Sequence, residues 1–292
     1  MFRPRSPWVD CILWLFTGWL AGLTVTVSIL ALDQAFSPGS WFTSLANVAP
    51  NLLGTGLVVL LGLSASSSRP SAVLSLRRPP WGALPWVALS SFCLALLSTV
   101  LNDWIERLLP MPRVVKILFE QILEYHNLSQ FLGVVFFLVV MAPVTEEMMF
   151  RGLFLHRLSE GHGRRHAILG SAICFGVFHL LPWQAVGATL IGIYLGWLLT
   201  RTGSILMPIA AHAFFNLVPV AATGLSKRYP VVGGLGTGGE GASLPPALLA
   251  GAVLALAAGI LGTLRATRPQ EDLPSGPPTA PAGPPPDPLL PG

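Results

Sequence analysis

A succession of near-continuous apolar runs, each about as long as a bilayer core is thick, constrains this chain more than any other feature. A helix that crosses the core needs about 20 apolar residues. Eight stretches reach or nearly reach that length: 8–32, 44–64, 81–101, 130–155, 166–181, 183–200, 204–223 and 245–265. A water-soluble fold fails on composition, because only 10% of residues are charged and 52% are apolar, against about 25% charged in soluble domains. Too little polar surface exists to cover the molecule in water. The expected fold is all-α, a polytopic membrane helix bundle of about eight transmembrane helices, with one bundle rather than several globular domains.

Details of the runs refine this expectation. Arg3 and Arg5 resemble the start of a signal peptide, but the apolar stretch behind them reaches span length and reads as an uncleaved first span. Pro182 separates the short fifth span from the sixth and demands a tight turn. An even number of spans places both termini on one side. With that side cytosolic, twelve of the seventeen basic residues fall inside, as the positive-inside rule requires; in a bacterium the host would be the inner membrane. Between the third and fourth spans, Asn102 to Asn127 is too polar to cross. Its stretch VVKILFEQILEY has helical periodicity and reads as an amphipathic helix in the outer interface. After Arg268 a proline-rich tail lacks any core-forming pattern and is expected to be disordered. The chain thus divides into 1–129 (three spans and the interfacial segment), 130–220 (a core), 221–268 (outer loop and last span) and the tail 269–292. Cys11, Cys93 and Cys174 lie inside apolar runs and read as small buried hydrophobes.

Charged side chains inside a span are costly and point to function. Three motifs carry them, each on a different span: TEEMMFR with Glu146, Glu147 and Arg151; FGVFH with Phe175 and His179; HAFFN with His212 and Asn216. In each, i,i+4 spacing puts residues on one helix face: Glu147 with Arg151, Phe175 with His179, His212 with Asn216. Counted from the span ends, all three motifs reach one level in the cytosolic half to middle of the bilayer. Any one motif alone could be an ordinary helix ion pair or a hydrogen-bonded core histidine. Two glutamates, two histidines and an asparagine at matched depth form a chemical inventory. A carboxylate beside an imidazole can take a proton from water, and a second imidazole with an amide can donate hydrogen bonds to a tetrahedral oxyanion. His126, His156, His162 and His166 fall in or near polar loops and are expected to be solvated.

The motifs EExxxR, FxxxH and HxxxN, in this order on these spans, resemble those of the CPBP family of intramembrane proteases. That family includes the type II CAAX prenyl proteases and bacterial bacteriocin-processing and self-immunity relatives. The resemblance extends through GIYLGWLLTRTGSILMPIAAHAFFN, from Gly192 to Asn216, and covers about residues 130–220. It implies an intramembrane endopeptidase acting on a membrane-embedded or lipidated substrate, with the bilayer as its other partner and no nucleic acid. It further implies that Glu146 activates water with help from His179, that Arg151 orients or balances Glu147, and that His212 and Asn216 form the oxyanion hole. No motif position departs from the family pattern.

Alternatives remain at this level. A catalytically silent immunity or scaffold protein of the same fold would carry the same residues. A proton-coupled transporter could use Glu146, Glu147 and His179 as a relay, although the chain holds no second copy of the acidic motif. Metal is likewise open. Glu146, His179 and His212 make a His₂Glu set such as zinc peptidases use, with Glu147 then the base and Asn216 a supporting group. A mechanism without metal gives every motif residue a role and is preferred.

Overall fold

The computed structural model describes residues 6–36, 41–123, 125, 127–226 and 245–268. The tail at 269–292, His126 and most of the expected outer loop lie outside the described residues. Those described form helices and no strand. In chain order they are α1 (Pro7–Phe36), α2 (Trp41–Ala65), the single-turn α3 (Pro70–Val73), α4 (Leu84–Leu108) and α5 (Arg113–Leu123). A continuous run follows: α6 (Leu128–Val134), a π-helical stretch π1 (Val135–Met141), α7 (Ala142–Glu147), a second π stretch π2 (Met148–Phe154) and α8 (Leu155–Phe178). Then come α9 (Pro182–Thr202), α10 (Leu206–Ser226) and α11 (Pro246–Ala266).

Six stretches of the described residues are long and apolar enough to cross a membrane. The chain is a multi-pass, all-α membrane bundle. The longest stretch, Leu128–Phe178, has 51 residues; laid straight it would measure about 76 Å at ~1.5 Å per residue, more than twice the hydrocarbon thickness. It therefore holds two of the expected spans. The break is Gly163, at φ 74° and ψ 165°, a left-handed conformation that glycine adopts without a Cβ clash. The chain folds back there, so that Ser171 Oγ on α8 donates to the Phe150 carbonyl on π2 at 2.8 Å. The expected second span lies on α2, of which Leu52–Ala65 counts only as a shorter apolar helix.

Two expectations require correction. The helix expected to end near residue 101 runs on to Leu108. Polarity at Asn102, Asp103 and Glu106 governs where a helix leaves lipid, not where its backbone bonds stop; Pro110 and Pro112 end it instead. Glu106 then pairs with Lys116 of α5, the expected interfacial helix. His156 is not solvated: its side chain is 14% exposed, with Nε2 3.6 Å from Glu160. The helix continues past residue 155, so His156 stays on a packed flank instead of entering a loop. His162 and His166 are exposed, as expected.

Small residues set the packing that matters for the site. A Cβ on Gly176 would meet the Thr189 side chain and come within 2.6 Å of the Ala185 carbonyl, so α8 and α9 touch nearly backbone to backbone. Gly192 faces Ala172 and Gly196 faces Ile168 across the same contact, the use of small residues typical of membrane helix pairs. α1 closes the other side of α8: Trp19 Nε1 donates to the Phe178 carbonyl at 3.2 Å, and Arg157 Nε to Asp10 at 2.8 Å. The three cysteines are buried and unbridged.

Candidate active site

The site begins with a backbone irregularity. In π1 the Ala142 N–H donates to the Phe137 carbonyl, five residues back. That register would give the Leu138 carbonyl to residue 143, which is a proline and has no N–H. Leu138 is left with an orphan acceptor inside a span, where an unmet carbonyl is costly. Asn216 of α10 supplies the donor, Nδ2 to O at 2.8 Å. The Pro143 that breaks the ladder and the Asn216 that repairs it thus tie α10 to the helix carrying the glutamates. An amide carries two N–H groups, and one of Asn216's is committed to this bond.

Glu146 and Glu147 close α7, and both are buried. Arg151, with no exposed surface, donates from one guanidinium nitrogen to Glu147 Oε1 at 3.0 Å and from the other to the Gly192 carbonyl on α9 at 3.1 Å. A side chain at 192 would crowd the second contact, because a Cβ there would lie 3.2 Å from the guanidinium. The guanidinium also lies 4.6 Å from the centre of the Phe175 ring, a cation–π position.

Glu147 has a second partner on a third helix. His212 Nδ1 lies 2.9 Å from the same Oε1. A carboxylate only accepts, so this bond fixes the proton on Nδ1 and turns Nε2 the other way, 3.9 Å from Glu146 Oε2. Arg151, Glu147 and His212 form one buried chain, with Glu146 beside its free end. Glu147 Oε2 and Arg151 Nε, both buried, have no hydrogen-bond partner among the described residues; the pair meets through single atoms.

Phe175 organises the remainder. Its ring stands edge-to-face with His179 at 4.9 Å and with His212 at 5.6 Å. His179 is partly buried and ends α8; its Nδ1 lies 2.9 Å from the Phe175 carbonyl, so that bond holds the proton and Nε2 keeps a lone pair. The next residue, Leu180, has φ 60°, a left-handed conformation costing about 1–2 kcal/mol for a non-glycine. That strain holds the tight turn before Pro182, which opens α9 as a first-turn proline.

The residues singled out in the sequence thus gather around one point. Arg151 bonds Glu147, Glu147 bonds His212, and His212 faces Glu146; Phe175 joins His179 to them, and Asn216 anchors the α10 side. Three participants escaped sequence reasoning: Leu138, whose orphan carbonyl follows only from the π register, Gly192 as the acceptor for Arg151, and the Glu147–His212 bond. The close approach at Gly192 is set by its packing against Ala172, and Arg151 uses the carbonyl it leaves open. Among the described residues no group of three His, Cys, Asp or Glu side chains is placed to hold a metal ion.

Residues 128–218 match the family model described as Type II CAAX prenyl endopeptidase Rce1-like. The matched segment runs from α6 into α10 and contains every site residue named above. Neither the comparison with curated proteins nor that with solved structures gave a match.

Proposed function

With residues 128–218 a region of the type II CAAX prenyl endopeptidase family, we propose that this chain is an active intramembrane endopeptidase. It hydrolyses a peptide bond of a membrane-associated, CAAX-type substrate with water activated by Glu146. The observation that carries the reading is the buried Arg151–Glu147–His212 chain with Glu146 3.9 Å from the imidazole's outer nitrogen.

Charge balance supports the assignment of roles. Two carboxylates and one guanidinium leave one negative charge buried unless His212 carries a proton on both ring nitrogens. The scheme uses His212 in its doubly protonated form, with Glu147 at Nδ1 and Glu146 facing Nε2 as its counter-charges. Its Nε2–H and the second N–H of Asn216 then serve as donors for the oxyanion that forms when water attacks the carbonyl. Glu146 takes the proton from that water, and His179, with its Nε2 lone pair, supports the transfer. The proton passes on to the leaving amine. Glu147 and Arg151 do not touch substrate in this scheme; they hold His212 in place and in charge. The scheme gives every motif residue a role without a metal ion.

The membrane orientation belongs to the same proposal: both termini lie in the cytosol and the site opens in the cytosolic half of the bilayer. The direct test is to incubate the protein in liposomes with a farnesylated CAAX peptide and to identify the products by mass. Release of the intact aaX tripeptide supports the function; an uncleaved peptide together with full retention of fold would leave the chain a silent member of its family.

A further inference from the structure

At the membrane end where α9 and α11 finish and α4 begins, the segments 66–83, 197–208 and 259–268 carry Arg69, Arg77, Arg78, Arg201, Arg265 and Arg268 and not one acidic residue. These segments are fastened together. Ser204 Oγ donates to the Arg77 carbonyl at 2.7 Å, and the Ile205 N–H to the Ser75 carbonyl at 3.1 Å. Arg201 turns its guanidinium onto the end of α11, donating to the Leu264 carbonyl at 2.9 Å and to the Thr267 carbonyl at 2.7 Å. It thereby meets carbonyls that a helix end leaves without partners.

Between them lies a cavity of about 250 Å³ lined by Arg78, Arg201, Thr202, Thr267 and Arg268. Arg78 and Arg268 are exposed and have no carboxylate partner among the described residues. Ala266, on the wall of this cavity, also lines a second, mostly apolar groove of about 450 Å³ between α4 and α11, formed with Trp86, Leu261 and Gly262 and edged by Arg265. Trp81 and Trp86 beside it are 58% and 41% exposed, as aromatic rings are at the headgroup level.

A cationic cavity that shares the Ala266 wall with an apolar groove, at the end of three spans, matches one kind of molecule. We infer that it binds an anionic phospholipid, the phosphodiester between Arg78 and Arg268 and an acyl chain along Trp86 and Leu261. Basic pockets between spans are a known solution for anionic headgroups, and guanidinium groups pair with phosphate oxygens through parallel hydrogen bonds. A free phosphate would use the arginines but not the groove. The bound lipid would brace α11 against α4 and α9, away from the Glu146–His212 site.

The test uses the full chain purified in a neutral detergent, titrated with short-chain phosphatidylglycerol, with phosphatidylcholine of the same chains, and with inorganic phosphate, while thermal unfolding is followed. Phosphatidylglycerol should raise the unfolding temperature saturably, and the other two should not. The variant R78Q/R268Q should need about tenfold more phosphatidylglycerol for the same shift while unfolding as wild type does in phosphatidylcholine. Equal stabilisation by phosphate alone, equal response to both lipids, or an unchanged response of the variant would each overturn the inference. Should that variant fail to fold, native mass spectrometry of the wild type decides: one phosphatidylglycerol retained in preference to phosphatidylcholine supports the site, and no preference overturns it.

Discussion

Removing Arg151 tests the buried chain on which the site rests. Its guanidinium is fully enclosed, 3.0 Å from a Glu147 carboxylate that is itself 0% exposed. Arg151→Met keeps the bulk of the stem but leaves that carboxylate with His212 alone. Breaking a buried pair by removing one partner costs about 3–5 kcal/mol, because the other charge stays buried. The lost bond to the Gly192 carbonyl adds less, since that oxygen also sits in the α9 ladder. Neutralising both partners should be far milder: Glu147→Gln with Arg151→Met removes the stranded charge, and its loss should fall at least ~2 kcal/mol short of the sum of the singles, within the range of coupling seen for contacting residues. Activity should behave differently. The double variant stays inactive, because His212 no longer faces an anion that holds its Nδ1 proton. Unfolding in mixed micelles and peptide turnover, measured on all four proteins, separate the two effects. Losses that simply add, or a single Arg151→Met loss below about 1 kcal/mol, would refute the reasoning.

Other variants and treatments probe the remaining parts. Asn216→Ala should slow turnover by the cost of one oxyanion donor, about 2.7–4 kcal/mol, and also lower stability by about 1–3 kcal/mol because it strands the Leu138 carbonyl; a loss of stability with normal turnover would confine Asn216 to the backbone repair. Protein stripped with a strong chelator should keep its activity. One equivalent of zinc in active protein, with activity lost on its removal and restored on its return, would instead make Glu146, His179 and His212 ligands. A cysteine introduced into the 224–244 loop should react with an impermeant reagent only from outside the cell, and labelling only from the cytosol would reverse the topology.

Sequence periodicity carried much of this architecture because lipid leaves few choices. A long apolar run must be a helix, Pro182 must start one, and i,i+4 spacing did pair Glu147 with Arg151. Less was legible where two helices meet. The Glu147–His212 bond joins residues 65 apart in the chain, and no local spacing encodes which of two adjacent glutamates an imidazole will choose. The π stretches were invisible for a related reason. Pro143 announces a missing donor, but whether the ladder kinks or widens depends on whether a neighbour such as Asn216 can meet the freed carbonyl. The folded-back run at 128–178 was expected as two spans, yet its helical turn through His156 was hidden, since polar residues at a membrane surface look the same in a helix and in a loop. Nor does the sequence announce the bonds of Arg201 to the end of α11, which depend on a helix 63 residues away.

The central claim is that Glu146 takes the proton from the attacking water, and Glu146→Gln tests it most directly. The amide is nearly isosteric, so the purified variant should match wild type in yield and unfolding while having no basic oxygen to offer. A positioned general base contributes about 10²–10⁴ in rate. The comparison is turnover of a fluorogenic farnesylated CAAX peptide by wild type and Glu146→Gln in the same liposomes. The account predicts cleavage by wild type and a fall of at least ~100-fold in the variant; near wild-type turnover by Glu146→Gln, with its fold intact, would contradict it.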